Sequence, residues 1–138
     1  MEFQEFFPLY RCMDLVRAPQ EVAAAAVLQE VTRFAAPDPV LQEWRPFRSL
    51  PELWNGVSEF TNCPTQFFVL ATDSPWSVVW TNAALCDGYD SLSWCLTENH
   101  GLTTLHFFAA EQDSTFQAGC GFTHRGQAGE RSVYCCRN

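Results

Sequence analysis

The stretch from residue 76 to residue 108 constrains the fold most, because its pattern predicts a strand, a helix and a second strand in one compact run. Residues 76–80 and 102–108 are both rich in bulky and β-branched side chains, which is typical of strands. The apolar positions between them have the i, i+3, i+4 spacing of one helix face: Leu92, Cys95 and Leu96. A stop at His100-Gly101 completes a predicted βαβ unit.

The residues on either side supply further elements. Residues 6–16 and 66–72 predict strands, the second of them buried on both faces, and Asp73-Ser-Pro75 predicts a tight turn. A helix is expected to begin at Pro19 and to end before Pro37. Its core-facing stripe is predicted from six apolar residues: Ala24, Val27, Leu28, Val31, Phe34 and Ala35. Two alternating strands near residues 116–123 and 131–136 predict a C-terminal hairpin.

This order of elements predicts an α+β fold of the ferredoxin-like β-α-β-β-α-β type with an extra C-terminal β-hairpin. The sheet is expected to be mixed or antiparallel, with both helices on one face. Residues 40–64 predict a long irregular connection with one short helix near residues 51–60. That connection covers the other sheet face or carries a function, and both alternatives remain open.

Length and composition predict a single domain over residues 1–138. The acidic start, Met1-Glu-Phe-Gln-Glu5, lacks the features of a secretory signal, and no apolar run is long enough to span a bilayer, so a cytoplasmic location is expected. Because the seven cysteines are odd in number and the expected location is reducing, most of them are predicted to be free thiols that pack as small core residues.

Charge is distributed unevenly along the chain. The net charge is −8, from sixteen acids and eight arginines, with no lysine. Eight acids and no arginine lie between Arg48 and Arg125, so this cation-free stretch holds a charge equal to the whole net charge. Such a surface repels nucleic acid, which needs Lys or Arg at its phosphates, and attracts a basic protein.

Patterns that suggest chemistry have simpler structural interpretations. A metal site built from cysteines and histidines is disfavoured, because Cys120 and His124 on one strand would stand roughly 13 Å apart. A nucleophile at Ser91, Ser93 or Cys120 lacks a recognised motif. Asp90 is instead predicted to cap a helix N-terminus. We therefore expect neither an enzyme nor a bound metal or cofactor.

Carboxylates near aromatic residues that are expected to be exposed are the remaining sequence feature that suggests a function. Tyrosine and tryptophan anchors ringed by acids are typical of surfaces that bind arginine- or lysine-rich partners. The predicted partner-binding residues fall in the irregular connection and around the second helix: Glu52, Trp54, Glu59, Asp87, Tyr89, Asp90 and Glu98.

In its size, acidity, reduced cysteines and lack of a catalytic signature, the chain resembles small acidic bacterial immunity proteins. That group shares no motif, so no residue role follows from the resemblance. It implies a cytoplasmic inhibitor that neutralises a cognate toxin enzyme by covering a basic active site, without nucleic-acid or membrane contact. The alternatives are a small enzyme or ligand-binding domain with a pocket under residues 40–64, and a structural partner subunit.

Overall fold

The computed structural model describes residues 12–43, 52, 66–81, 90–110 and 119–136. Its elements, in chain order, are β1 (Cys12–Val16), α1 (Gln20–Ala35), β2 (Phe67–Ala71), β3 (Ser77–Thr81), α2 (Asp90–His100), β4 (Thr104–Ala110), β5 (Gly119–Gly126) and β6 (Gly129–Cys136). The predicted α+β class and order of elements are confirmed.

The six strands form one sheet in the order β2-β3-β1-β4-β5-β6. Every neighbouring pair is antiparallel, so β3 and β4 run parallel to each other with β1 between them. The predicted βαβ unit is therefore a split one. The six-stranded sheet as a whole does not match the ferredoxin-like topology, because it continues past β4 into β5 and β6.

Both helices cover the same face of the sheet. Val16 of β1 and Val79 of β3 lie in one buried cluster with Val27 of α1 and with Leu92 and Leu96 of α2. Side chains of alternate strand residues point to the same face of a sheet. The residues two positions from Val16 on β1 and from Val79 on β3 therefore also lie on the helix-covered face. The predicted placement of the helices is confirmed.

The core-facing stripe of apolar residues predicted for α1 is displaced by about one residue from the side of the helix that is buried. The buried residues are Ala23, Ala26, Val27 and Glu30, while Phe34 remains 60% exposed. Residues 22–28 are alanine, valine or leucine, so the sequence offers an apolar residue at almost every angle of the helix. Burial of Glu30 is made possible by partners on α2, which a local pattern does not reveal.

The strand predicted to be buried on both faces, β2, is instead the end strand of the described sheet. Its first four residues are half-buried and Ala71 is exposed. The prediction was wrong because the length and residue types of a continuous apolar run do not distinguish an edge strand from a central one. The predicted turn at residues 73–75 is confirmed, with Thr72 Oγ1 donating to the Trp76 carbonyl at 2.6 Å.

The predicted end of α2 is also confirmed. Gly101 has φ of 65°, a left-handed conformation that glycine adopts without a Cβ clash. Its N–H donates to the Thr97 carbonyl at 2.9 Å, which closes the last turn before β4. Neither α1 nor α2, the helices of the described residues, is long and apolar enough to cross a membrane.

The opposite face of the sheet is strongly apolar. It carries the residues that alternate with the core positions, including Leu15, Val78, Phe107 and Phe122. Most of these side chains are half-buried. The predicted cover for this face, residues 40–64, falls outside the described residues apart from 40–43 and 52. Glu52 is helical and exposed, and the rest of the short helix predicted there is not among the described residues.

Candidate functional site: the outer face of α2

An exposed tryptophan stands between two carboxylates on the outer side of α2. Asp90, Trp94 and Glu98 are spaced i, i+4 and i+8, which places them along one side of a helix. Trp94 is 51% exposed, Glu98 is exposed and the Asp90 side chain is half-exposed. We call these three residues the α2 outer face.

The inner side of the same helix explains why Trp94 points outward. Leu92, Ser93, Cys95 and Leu96 are buried against the sheet and α1. Trp94 lies about 100° around the helix from each neighbour, so it cannot share their side. A half-exposed tryptophan presents a large apolar ring together with an N–H donor, a combination enriched in protein interfaces.

Arg125 of β5 fixes the N-terminus of α2. Its Nη1 and Nη2 donate to the two carboxylate oxygens of Asp90 at 2.7 and 2.9 Å, and its Nε donates to Glu130 at 2.7 Å. Burial alone would lower the pKa of Arg125, but hydrogen bonds to both carboxylates raise it. The guanidinium therefore stays charged and joins α2 to the β5–β6 hairpin.

Hydroxyl groups hold α2 to β4 beneath the outer face. Ser93 Oγ donates to Thr104 Oγ1 at 2.8 Å, and the hydroxyls of Thr97 and Thr104 lie 3.0 Å apart. Ser93 and Thr104 have no exposed surface. Satisfied hydrogen bonds between buried groups fix the position of a helix more narrowly than apolar contact alone.

Glu30 joins α1 to α2 at the other end of that helix. Only 3% exposed, its carboxylate accepts hydrogen bonds from Asn99 Nδ2 at 3.1 Å and from Arg33, and His100 Nε2 lies 2.9 Å away. Burial raises the pKa of Glu30, but the hydrogen bonds from Asn99 and His100 and the charge of Arg33 outweigh it and hold that pKa below its ordinary value.

The Cys95 thiol lies near this joint, and a buried histidine–aspartate pair lies in the sheet. Burial, followed by the charge of Glu30, raises the pKa of the Cys95 thiol, so Cys95 is a protonated packing residue. In the sheet, His106 Nδ1 and Asp14 Oδ1 lie 2.8 Å apart, and both residues are 6% exposed. This pair is buried on the helix-covered face, where the charges of Asp90 and Arg125 also act on it.

Four of the seven residues predicted to bind a partner lie outside the described residues: Trp54, Glu59, Asp87 and Tyr89. Glu52 is exposed. Asp90 and Glu98 are brought onto one helix side, with Asp90 already held by Arg125. Sequence reasoning missed Trp94, although its spacing of four from both acids within the predicted helix was a signal that could have identified it.

Among the residues considered for catalysis or metal binding, Ser93 and Asp90 have structural roles, and Cys120 and His124 lie apart along one strand. Ser93 is buried and bonded to Thr104, and Asp90 binds Arg125 at the start of α2. Cys120 and His124 both lie on β5, as predicted. In residues 12–43, 52, 66–81, 90–110 and 119–136, no three histidine, cysteine or acidic side chains form a metal-ligand group.

A shallow groove lies beside α1 in the described part of the chain. It is lined by Glu21, Val22, Ala25, Gln29 and His100, among others. The predicted pocket under residues 40–64 was expected on the opposite sheet face. The groove therefore does not correspond to it, and the α2 outer face is the candidate functional site.

The chain matches no family model, and comparisons with curated proteins and with solved structures found no match.

Proposed function

We propose that this chain is a protein-binding inhibitor that acts as an immunity protein in the cytoplasm, neutralising a toxin enzyme by covering its basic active site. The observation that carries the proposal is the half-exposed Trp94 between Asp90 and Glu98 on the outer side of α2. An aromatic anchor with acidic neighbours suits a cationic cleft, where the ring fills a pocket and the carboxylates meet arginine or lysine.

Charge supports the choice of a basic partner. The net charge of −8 steers a positively charged protein toward the chain from a distance. At short range the free carboxylate is Glu98, because none of the described residues forms an ion pair with it. Asp90 is half-exposed but bonded to Arg125, so we assign it the role of positioning the helix.

The rigidity of α2 supports an inhibitor that binds without rearrangement. Arg125 holds its N-terminus, Thr104 contacts its middle and Glu30 holds Asn99 and His100 at its end. A recognition helix fixed at three points loses little conformational entropy on binding, which favours high affinity. The proposed mechanism is occlusion: α2 lies over the catalytic cleft and excludes the substrate.

The test uses the protein encoded by the reading frame adjacent to the gene for this chain, because inhibitors and their targets are commonly encoded together. Co-expression should restore growth to cells that express the neighbouring protein. The purified pair should associate more slowly as salt rises from about 0.05 to 0.5 M, because screening weakens steering. Failure to protect the cells and to bind the neighbour would contradict the proposal.

Single variants distinguish the contribution of the α2 outer face to binding from that of the overall negative charge. Trp94→Ala should weaken binding about thirtyfold or more, as expected for an aromatic anchor. Glu98→Gln should slow association about two- to fivefold with a smaller effect on dissociation. Asp73→Asn is the matched control, since Asp73 is exposed in the β2–β3 turn and belongs to the same cation-free stretch. Equal effects of Asp73→Asn and Glu98→Gln would show that location on α2 is irrelevant.

We also propose that β1–β4 and the two helices are a ferredoxin-like unit extended by β5 and β6. The order β2-β3-β1-β4 supports this, because each βαβ connection spans one intervening antiparallel strand. Long-range NMR contacts from Asp14 to both Val79 and His106 test the order. Direct contacts between β3 and β4 as neighbouring strands would contradict it.

A further inference from the structure

Two cysteines face each other across the C-terminal hairpin. Cys120 of β5 and Cys135 of β6 are directly paired in the antiparallel register, and both are exposed free thiols. They differ from Cys95, which is buried among core residues. The prediction that the cysteines are mostly small packing residues therefore does not describe this pair.

The register brings the two cysteines within reach of a disulfide. Paired residues of antiparallel strands have Cα atoms about 4.5 or 5.5 Å apart, and both values lie inside the roughly 4.4–6.8 Å range of disulfides. Side chains of directly opposite residues point to the same side of the sheet. Their Cβ atoms are ordinarily about 4.5–5.5 Å apart, so closing the bond draws the strands together by roughly 1 Å.

We propose that Cys120 and Cys135 form a reversible redox site, a dithiol that exchanges with low-molecular-weight disulfides. The strain of drawing two paired strands together makes such a bond easier to reduce than an unstrained structural disulfide. Exposure of both sulfurs leaves them open to attack by an external thiol. The site is therefore suited to repeated oxidation and reduction rather than to permanent cross-linking.

The reaction proceeds in two exchanges. The thiolate of one cysteine attacks an external disulfide, RSSR, forming a mixed disulfide and releasing one RS⁻. The thiolate of the other cysteine then attacks the cysteine sulfur of that mixed disulfide, which forms the Cys120–Cys135 bond and releases the second RS⁻. The two protons from the cysteines end on the released thiols, and two electrons pass from the protein dithiol to RSSR.

Glutathione disulfide is the probe for the test. The reduced full-length chain is incubated with it, free thiols are alkylated, and peptides are analysed by mass spectrometry. We expect a Cys120–Cys135 cross-link with a mass decrease of about 2 Da, reversed by excess reduced glutathione. Cys136→Ser should behave like the wild type, which controls for the adjacent thiol.

Single-cysteine variants trap the intermediate. Cys120→Ser and Cys135→Ser should each retain one glutathione on the remaining cysteine, whereas the wild type should retain less than about a tenth as much because intramolecular attack is faster. The proposal is overturned if the wild type keeps glutathione on these cysteines, cross-links either of them to another cysteine or to a second chain, or leaves both thiols unreacted. Because the wild-type chain decides the result, a misfolded variant does not obscure it.

Discussion

His106 and Asp14 occupy paired positions on the neighbouring strands β4 and β1, and their side chains meet 2.8 Å apart on the helix-covered face. Burial raises the pKa of Asp14, and the bond with His106 offsets only part of that effect. Burial lowers the pKa of His106, but the hydrogen bond with Asp14 and the charge of Asp14 raise it above its ordinary value of 6.5. The folded pair therefore holds a proton more tightly than the unfolded chain does.

The first prediction concerns pH. Because folding raises the pKa of His106, its stabilising contribution is fully present below pH 6.5 and is lost as pH rises through the folded pKa. Urea unfolding between about pH 6 and pH 8.5 should show a decline in the free energy of unfolding as the pH rises.

His106→Asn keeps a hydrogen-bond donor beside Asp14 but removes the titration, so it should abolish that decline. His124→Gln is the control, because His124 lies on the opposite sheet face. An unchanged pH slope in His106→Asn would contradict the assignment.

The second prediction concerns the joint between the helices. Glu30→Gln removes the buried charge that Arg33, Asn99 and His100 bind, and it should lower the free energy of unfolding by about 2–4 kcal/mol at pH 7. Chemical denaturation measures this loss. Glu21→Gln, an exposed change on the same helix, should cost less than about 0.5 kcal/mol. Similar losses from the two variants would mean that the Glu30 hydrogen bonds contribute little.

The third prediction concerns the anchor of α2. Arg125→Met leaves the carboxylates of Asp90 and Glu130 unpaired, and because both are about half exposed and regain water, it should lower the free energy of unfolding by only about 1–2 kcal/mol. Hydrogen exchange should accelerate in the first turns of α2, since that end loses its attachment to the hairpin. Arg131→Met, at an exposed position of β6, should change neither measurement appreciably. Uniform exchange along α2 in the Arg125 variant would contradict the anchoring role.

The fourth prediction concerns a close approach within the hairpin. Phe108 and Tyr134 stack with ring centroids 5.5 Å apart across Gly121. A Cβ on Gly121 would lie 2.7 Å from Phe108 Cζ and would also collide with the Val133 carbonyl oxygen. Gly121→Ala should therefore lower the free energy of unfolding by about 1–3 kcal/mol in a denaturant titration.

Gly126→Ala is the comparison for that substitution, since its Cβ would come no closer than 3.3 Å to Thr103. Gly126→Ala should therefore lower the free energy of unfolding by less than Gly121→Ala does. Equal losses from both alanine variants would show that general strand effects, rather than the close approach at Gly121, determine the cost.

Local periodicity predicted the parts of the fold that depend on nearby residues. The helix carrying Leu92 and Leu96 is where the i, i+3, i+4 pattern places it, and Gly101 ends it as expected. The same method failed for α1, because an alanine-rich segment offers no contrast between its sides. It also failed to place β2 at the edge, since edge and centre differ in pairing and not in composition.

The contacts that build the candidate site join residues far apart along the chain. Asp90 and Arg125 are 35 residues apart, and Glu30 and His100 are 70 apart. Counting charges by segment predicted an unbroken acidic surface, yet Arg125, at the end of the cation-free stretch, folds back onto Asp90. Trp94 was recoverable from spacing alone, whereas the partners of Asp90 and Glu30 required the tertiary fold.

One guanidinium that satisfies two carboxylates on different elements limits how positions 90, 125 and 130 can diverge during evolution. A neutral residue at 125 would be tolerated only alongside changes at both acids, and reversing one sign would require reversing the others. We expect these three positions to vary together among descendants of a common ancestor. Glu98 has no partner within the described residues, so we expect the charge at position 98 to vary with the charge of the surface that it binds.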